Sequence, residues 1–87
     1  MYRLEFKSSV KKDLDKIPQK DLESIRVKII GLEKNPLPAG VRKIRKTKGY
    51  LFRLREGKFR ILDQIDFLDK KIGIISIRLR NEKTYKL

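Results

Sequence analysis

Arg53, Arg55 and Arg60 interrupt the apolar runs of GYLFRLREGKFRILDQID, residues 49–66, where a half-buried sheet could have carried Thr or Ser. If the stretch is a hairpin, alternation sends Phe52 and Leu54 to one side and Arg53 and Arg55 to the other. The next strands add Arg60, Arg78 and Arg80 to that second face, so guanidinium groups from three strands converge. Like charges side by side in a sheet are destabilising, so local stability does not explain the row. A phosphate-rich ligand does, because the guanidinium fork matches phosphate oxygens and stays charged. The competing reading is a basic protein scattering Arg over its solvent face, some paired with Glu56, Asp63 or Asp66. These residues alone leave both readings open.

Binding of a phosphodiester backbone is the broader functional reading, and catalysis on it the sharper one. RNA can be cut without a metal when its 2′-hydroxyl attacks the neighbouring phosphate. The protein then has to remove a proton, neutralise the phosphorane and protonate the leaving oxygen. Arg suits the second task and is a poor base for the same reason. Tyr85 has two functional uses, stacking on an exposed base or transferring a proton; its structural use is to cover a sheet edge. Asp63, Asp66 and Asp69 recur every three residues, but that spacing crosses a strand and its turn, and they read as solvated turn residues. Gly57 and Gly73 belong to no phosphate-cradling motif. No nucleophilic triad, metal set or cofactor motif is present.

The elements that must position these residues come from 87 residues, enough for one domain (1–87) with a thin core. The formal charge is +13, from 24 Lys and Arg against 11 Asp and Glu, which calls for an anionic partner, nucleic acid or acidic protein. Residues 1–41 hold 9 basic and 6 acidic side chains (+3), and 42–87 hold 15 and 5 (+10), so the second half carries the binding surface. Cysteine and histidine are both absent. That excludes disulfides, thiolate sites and the usual acid–base residue near pH 7, leaving Lys, Arg, Tyr or carboxylates for any catalysis. No segment approaches the roughly 20 apolar residues of a membrane span, and the expectation is a soluble, cytoplasmic protein.

YRLEF, residues 2–6, alternates as a strand. Ser8 or Ser9 then caps a short helix bearing Val10, Leu14 and Ile17, which Pro18 ends. A second helix, about 19–34, places Leu22, Ile25, Ile29 and Leu32 on one stripe. Asn35, Pro36, Pro38 and Gly40 break the chain. VRKIRKTKG follows as a basic loop or short helical turn holding Arg42, Lys43, Arg45, Lys46 and Lys48. Strands over 50–55 and 59–66 meet around Gly57, and a last strand, about 72–80, sets Ile75, Ile77 and Leu79 against Ser76, Arg78 and Arg80. The expectation is an α+β fold: a small antiparallel sheet in the order β-α-α-β-β-β with two helices packed on one face.

Together YRLEFKSSVKKDLDKIP, NPLPAG with its basic VRKIRKTKG, YLFRLREGKFRILDQID and IGIISIRLRNEKTY resemble the RelE/ParE toxins of toxin–antitoxin pairs, over residues 2–85. The resemblance implies a RelE-type mRNA interferase, a ribosome-dependent endoribonuclease without cofactor or metal, held inactive by a cognate antitoxin. By position it implies catalytic roles for Arg53, Arg60, Arg80 and Tyr85 and substrate positioning by Arg55; Arg78 on the same face, and Arg45, Lys46 and Lys48 in the basic segment, are the further RNA contacts expected. Leu51 stands where some members carry a Lys assigned to proton transfer, leaving Lys46 or Lys48 as substitutes. Asp63 stands where an aromatic is common. ParE-type members share the fold but poison DNA gyrase and lack the full basic and Tyr set. A non-catalytic RNA-binding module is the third reading.

Overall fold

Alternating and helical periodicities become β1 (Arg3–Phe6), α1 (Ser8–Asp15), α2 (Gln19–Gly31), β2 (Arg42–Ile44), β3 (Tyr50–Glu56), β4 (Phe59–Asp66) and β5 (Lys71–Leu79). The computed structural model describes residues 1–44 and 50–79. Arg45, Lys46, Lys48, Arg80 and Tyr85 therefore lie outside the described residues. The α+β architecture is the expected one, with both helices packed against a single sheet of order β1-β5-β4-β3-β2. Two features differ from the sequence reading. The sheet is mixed, because β1 lies parallel to β5, pairing Arg3 with Lys71 through Phe6 with Ile74. The basic segment after Gly40 also contributes a strand instead of a loop or helical turn, with β2 antiparallel to β3. A parallel pair needs a long crossover, and here everything between β1 and β5 supplies it.

The core forms where the helix stripe meets one face of the sheet. Val10, Ile25, Ile29 and Leu32 cover Leu54, Ile61, Ile65, Ile72, Ile74 and Ile77, all at 3% exposure or less. Each such side chain stabilises the fold by about 1.5–3 kcal/mol relative to exposure. Phe67 closes one end, its ring edge-to-face with Tyr2, Tyr50 and Phe52.

β5 does not keep simple alternation. Leu62 faces Ser76 but Asp63 faces Ile74, so Ile75 is an extra residue, a β-bulge. The bulge lets Ile72 and Ile74 share the core face with Ile77, and it removes Ile75 from the row in which alternation had placed it. Ser76 and Arg78 stay on the open face, as expected.

α1 begins after Lys7 with no side-chain cap, correcting the expected serine cap. Ser9 Oγ instead donates to the Ile75 carbonyl at 3.0 Å. Pro18 precedes α2, its fixed φ of −58° suiting a helix entry. The β3–β4 turn passes through Gly57 at φ +59°, a conformation that favours glycine. Asp66 holds the β4–β5 turn, accepting from the N–H groups of Leu68 and Asp69 at 3.0 and 2.9 Å. Asp63 is not a solvated turn residue: it is 0% exposed, on the core face between Phe52 and Ile74. Among the described residues no helix is long and apolar enough to cross a membrane.

Candidate nucleic-acid interface

Pairing registers map the face of the sheet away from the core. One cross-strand row runs Arg55, Arg60, Arg78, and the next runs Arg42, Arg53, Leu62, Ser76. Five arginines from four strands thus occupy two adjacent rows, with neighbouring Cβ atoms about 5 Å apart within a row. Arg55 is exposed, and Arg53, Arg60 and Arg78 are half-buried against the sheet. Beyond the bulge the same face changes character. Ile44, Leu51, Gln64, Gly73 and Glu5 form the third row; Asp66, Lys71 and Arg3 form the fourth. There Lys71 lies 4.0 Å from Glu5, and charges of both signs intermingle.

The backbone explains why the arginines converge. Antiparallel pairing fixes which residues lie opposite one another, and a one-residue slip of a strand would turn that strand's arginines toward the core. Leu54 and Ile61, paired across β3 and β4 and both buried, lock the register that puts Arg55 opposite Arg60. Arg78 is additionally held from the side. Its Nε lies 3.6 Å from Asp13 Oδ1, while Asp13 Oδ2 accepts the Ile77 N–H at 2.9 Å. Beside Arg78 is a hollow of about 440 Å³ whose lining includes Lys16 and Lys58.

Of the side chains singled out from the sequence, the structure brings Arg53, Arg55, Arg60 and Arg78 together. The chain as a whole is similar to known RelE toxins. A scan against models of protein families finds no match. It is 33% identical, over 98% of its own length and 96% of the relative's, to a protein of Methanocaldococcus jannaschii named as a RelE1 toxin. This chain belongs to the RelE toxin family. Its fold superposes with a TM-score of 0.82 on a chain of the archaeal RelE–RelB complex from Pyrococcus horikoshii, at 27% identity over 93% of this chain and 97% of that one. A chain of the RelBE2 toxin–antitoxin complex from Mycobacterium tuberculosis gives 0.79 at 25% identity, covering 91% of this chain and 98% of its counterpart. The isolated RelE toxin of E. coli shares the fold at 20% identity with a TM-score of 0.73, covering 98% of this chain and 90% of the other.

Within this RelE fold, two residues of the arginine rows' surroundings escaped the sequence reading. Arg42 was legible as basic, but only its pairing with Arg53 places it on the face. Asp13 was not singled out, because its 8% exposure and its reach to β5 carry no local sequence signal.

Proposed function

We propose that this RelE-family toxin is an endoribonuclease that cuts mRNA at the ribosome. What supports the reading most is the convergence of Arg42, Arg53, Arg55, Arg60 and Arg78 from four strands on one face. Arg53 and Arg60 hold the scissile phosphate and offset the charge that accumulates as the 2′-oxygen attacks. Arg55 and Arg78 position the flanking backbone. By family position Arg80 joins the phosphate contacts and Tyr85 stacks on the cleaved nucleotide or moves a proton, while Arg45, Lys46 and Lys48 extend the RNA contact. A guanidinium does not act as a base near pH 7, so this site relies on charge stabilisation and on a substrate held in line by the ribosome. The same basic face and the RelE–RelB assemblies of its relatives support an acidic antitoxin as the partner that restrains it.

The experiment is inducible expression followed by mapping of mRNA 5′ ends. New ends inside translated codons, lost in Arg60→Ala, support the proposal. Growth arrest with intact message and a DNA-damage response selects gyrase poisoning instead. Salt-sensitive RNA binding without toxicity selects the non-catalytic module.

A further inference from the structure

β1 ends at Phe6, so among the described residues no strand pairs with β5 beyond Ile74 on that side, and its outward backbone groups need other partners. α1 lies along this bare edge. Ser9 and Asp13, four residues apart and so on one side of the helix, reach it in succession: Ser9 Oγ donates to the Ile75 carbonyl and Asp13 Oδ2 accepts from the Ile77 N–H. Asp13 is 8% exposed, and fixing one carboxylate oxygen to the backbone fixes the other. That second oxygen, Oδ1, lies 3.6 Å from Nε of Arg78, the residue after Ile77.

Resting on the RNA-cleaving reading above, we propose that Asp13 is a positioning residue: it holds Arg78 by its inner nitrogen so that the two outer nitrogens are presented to RNA phosphate. The contact is an ion pair through Nε, at 3.6 Å too long for a hydrogen bond, and of the five guanidinium N–H donors the four on Nη1 and Nη2 remain for phosphate. The carboxylate also offsets the repulsion that Arg78 meets from Arg60, directly opposite on β4. The hollow of about 440 Å³ beside Arg78 has an apolar floor that includes Ile17, Phe59 and Ile77, and its charged wall, Lys16, Lys58 and Arg78 against Asp13, is net positive. A carboxylate needed only to close the sheet edge does not require a charge, because an amide oxygen accepts the Ile77 N–H equally well. The charge is what acts on Arg78.

The test is the rate of message cleavage on programmed ribosomes for the full chain and for Asp13→Asn, Arg78→Ala and the double variant, with thermal melting of each. Asp13→Asn keeps an acceptor for Ile77 and is expected to melt near the parent. Its cleavage falls about tenfold, within the roughly hundredfold that a 1 Å misplacement can cost, and the double variant cleaves no more slowly than Arg78→Ala. Arg78→Lys leaves the Asp13–Ile77 bond untouched but has no inner nitrogen to hold, and is expected to lose a similar tenfold. Asp13→Asn or Arg78→Lys cleaving at the parental rate overturns the inference. So does an equal loss from Asp13→Asn with and without Arg78, which marks a purely structural role. If Arg78→Ala cleaves normally while Arg60→Ala does not, this inference fails and the RNA-cleaving reading stands. If the parent itself cuts no message, the reading fails first.

Discussion

Strand β4 carries two surfaces in one stretch of chain. Phe59, Ile61, Asp63 and Ile65 face the helices; Arg60, Leu62, Gln64 and Asp66 face away. On the open face charge is the rule, and at one end it is all of one sign. On the covered face charge is the exception, and Asp63 alone breaks an otherwise apolar row. The same chemical type, an ionisable group, thus has opposite consequences three residues apart: at Arg60 and Asp66 it faces outward, and at Asp63 it is buried and costs stability. Under the proposed function, stability rests on one set of positions and RNA contact on the other, and that division can be broken position by position.

The largest effect is expected at Asp63. Burial without a donor among the described residues for either oxygen raises its pKa from 3.8 to about 7. The folded chain therefore keeps this proton over a range in which the unfolded chain has lost it. Stability contributed by the neutral acid is intact below about pH 3.8 and falls as pH rises to about 7, above which the folded state also ionises. Over that window the loss amounts to about 4 kcal/mol. Asp63→Asn has the same size and no titration, so the difference in stability between variant and parent should grow from near zero at pH 4 to its full value at pH 8. Denaturant melts across this range measure it. A difference that stays flat with pH means the carboxyl finds a partner. Cleavage per folded molecule should not change.

Ile61 and Arg60 are neighbours that separate the two faces. Ile61→Ala, at a position with 0% exposure, should cost about 3 kcal/mol of stability through the cavity it leaves. Activity of the molecules that remain folded should be intact. Arg60→Ala should do the reverse, melting close to the parent and cleaving message about a hundredfold more slowly, as expected when a charge-stabilising contact is removed. If Ile61→Ala disables cleavage while fully folded, or Arg60→Ala cleaves normally, the division of labour between the faces is wrong.

How much of this was legible in the sequence depends on how local the determinant is. Phe52 and Leu54 against Arg53 and Arg55 follow from alternation alone, and Ile25 with Ile29 from helical spacing. Both statements need only a few contiguous residues, and the structure bears them out. β2 has three residues inside a basic run, too few to show a period, and is defined by its partner β3. The parallel seat of β1 on β5 joins residues nearly seventy positions apart. The bulge at Ile75 is invisible because Ile72, Ile74, Ile75 and Ile77 read as one apolar run in which either parity is satisfied. Asp63 misled for the opposite reason: aspartate is rarely fully buried, so a turn was the sounder inference from type alone. For the site, the arginines of β3 and β4 were legible because those strands alternate clearly, and Arg78 because β5 still alternates past its bulge, from Ser76 to Leu79. Asp13 was not, since what distinguishes it is a contact with Ile77 and Arg78 across the fold.

The smallest expected effect lies on the open face itself, beyond the bulge. Lys71 carries the same unit positive charge as any arginine of the first two rows and shares their face, so a toxin that responded merely to total positive charge would weaken as much on losing it. Its surroundings argue otherwise. Lys71 stands between Asp66 and Arg3 in the fourth row, and its ammonium lies 4.0 Å from the exposed Glu5 carboxylate. A pair this exposed contributes less than about 1 kcal/mol, and its net field on a passing phosphate is small because the charges nearly cancel. Lys71→Ala should therefore change message cleavage by less than about twofold. Its effect on the salt dependence of RNA binding should be equally slight, whereas loss of a phosphate contact lowers that slope by about one. Comparing the salt slopes of Lys71→Ala and Arg53→Ala at matched temperature measures the difference between the two ends of the face. Equal slopes would show that RNA lies along the whole sheet instead of across its arginine end.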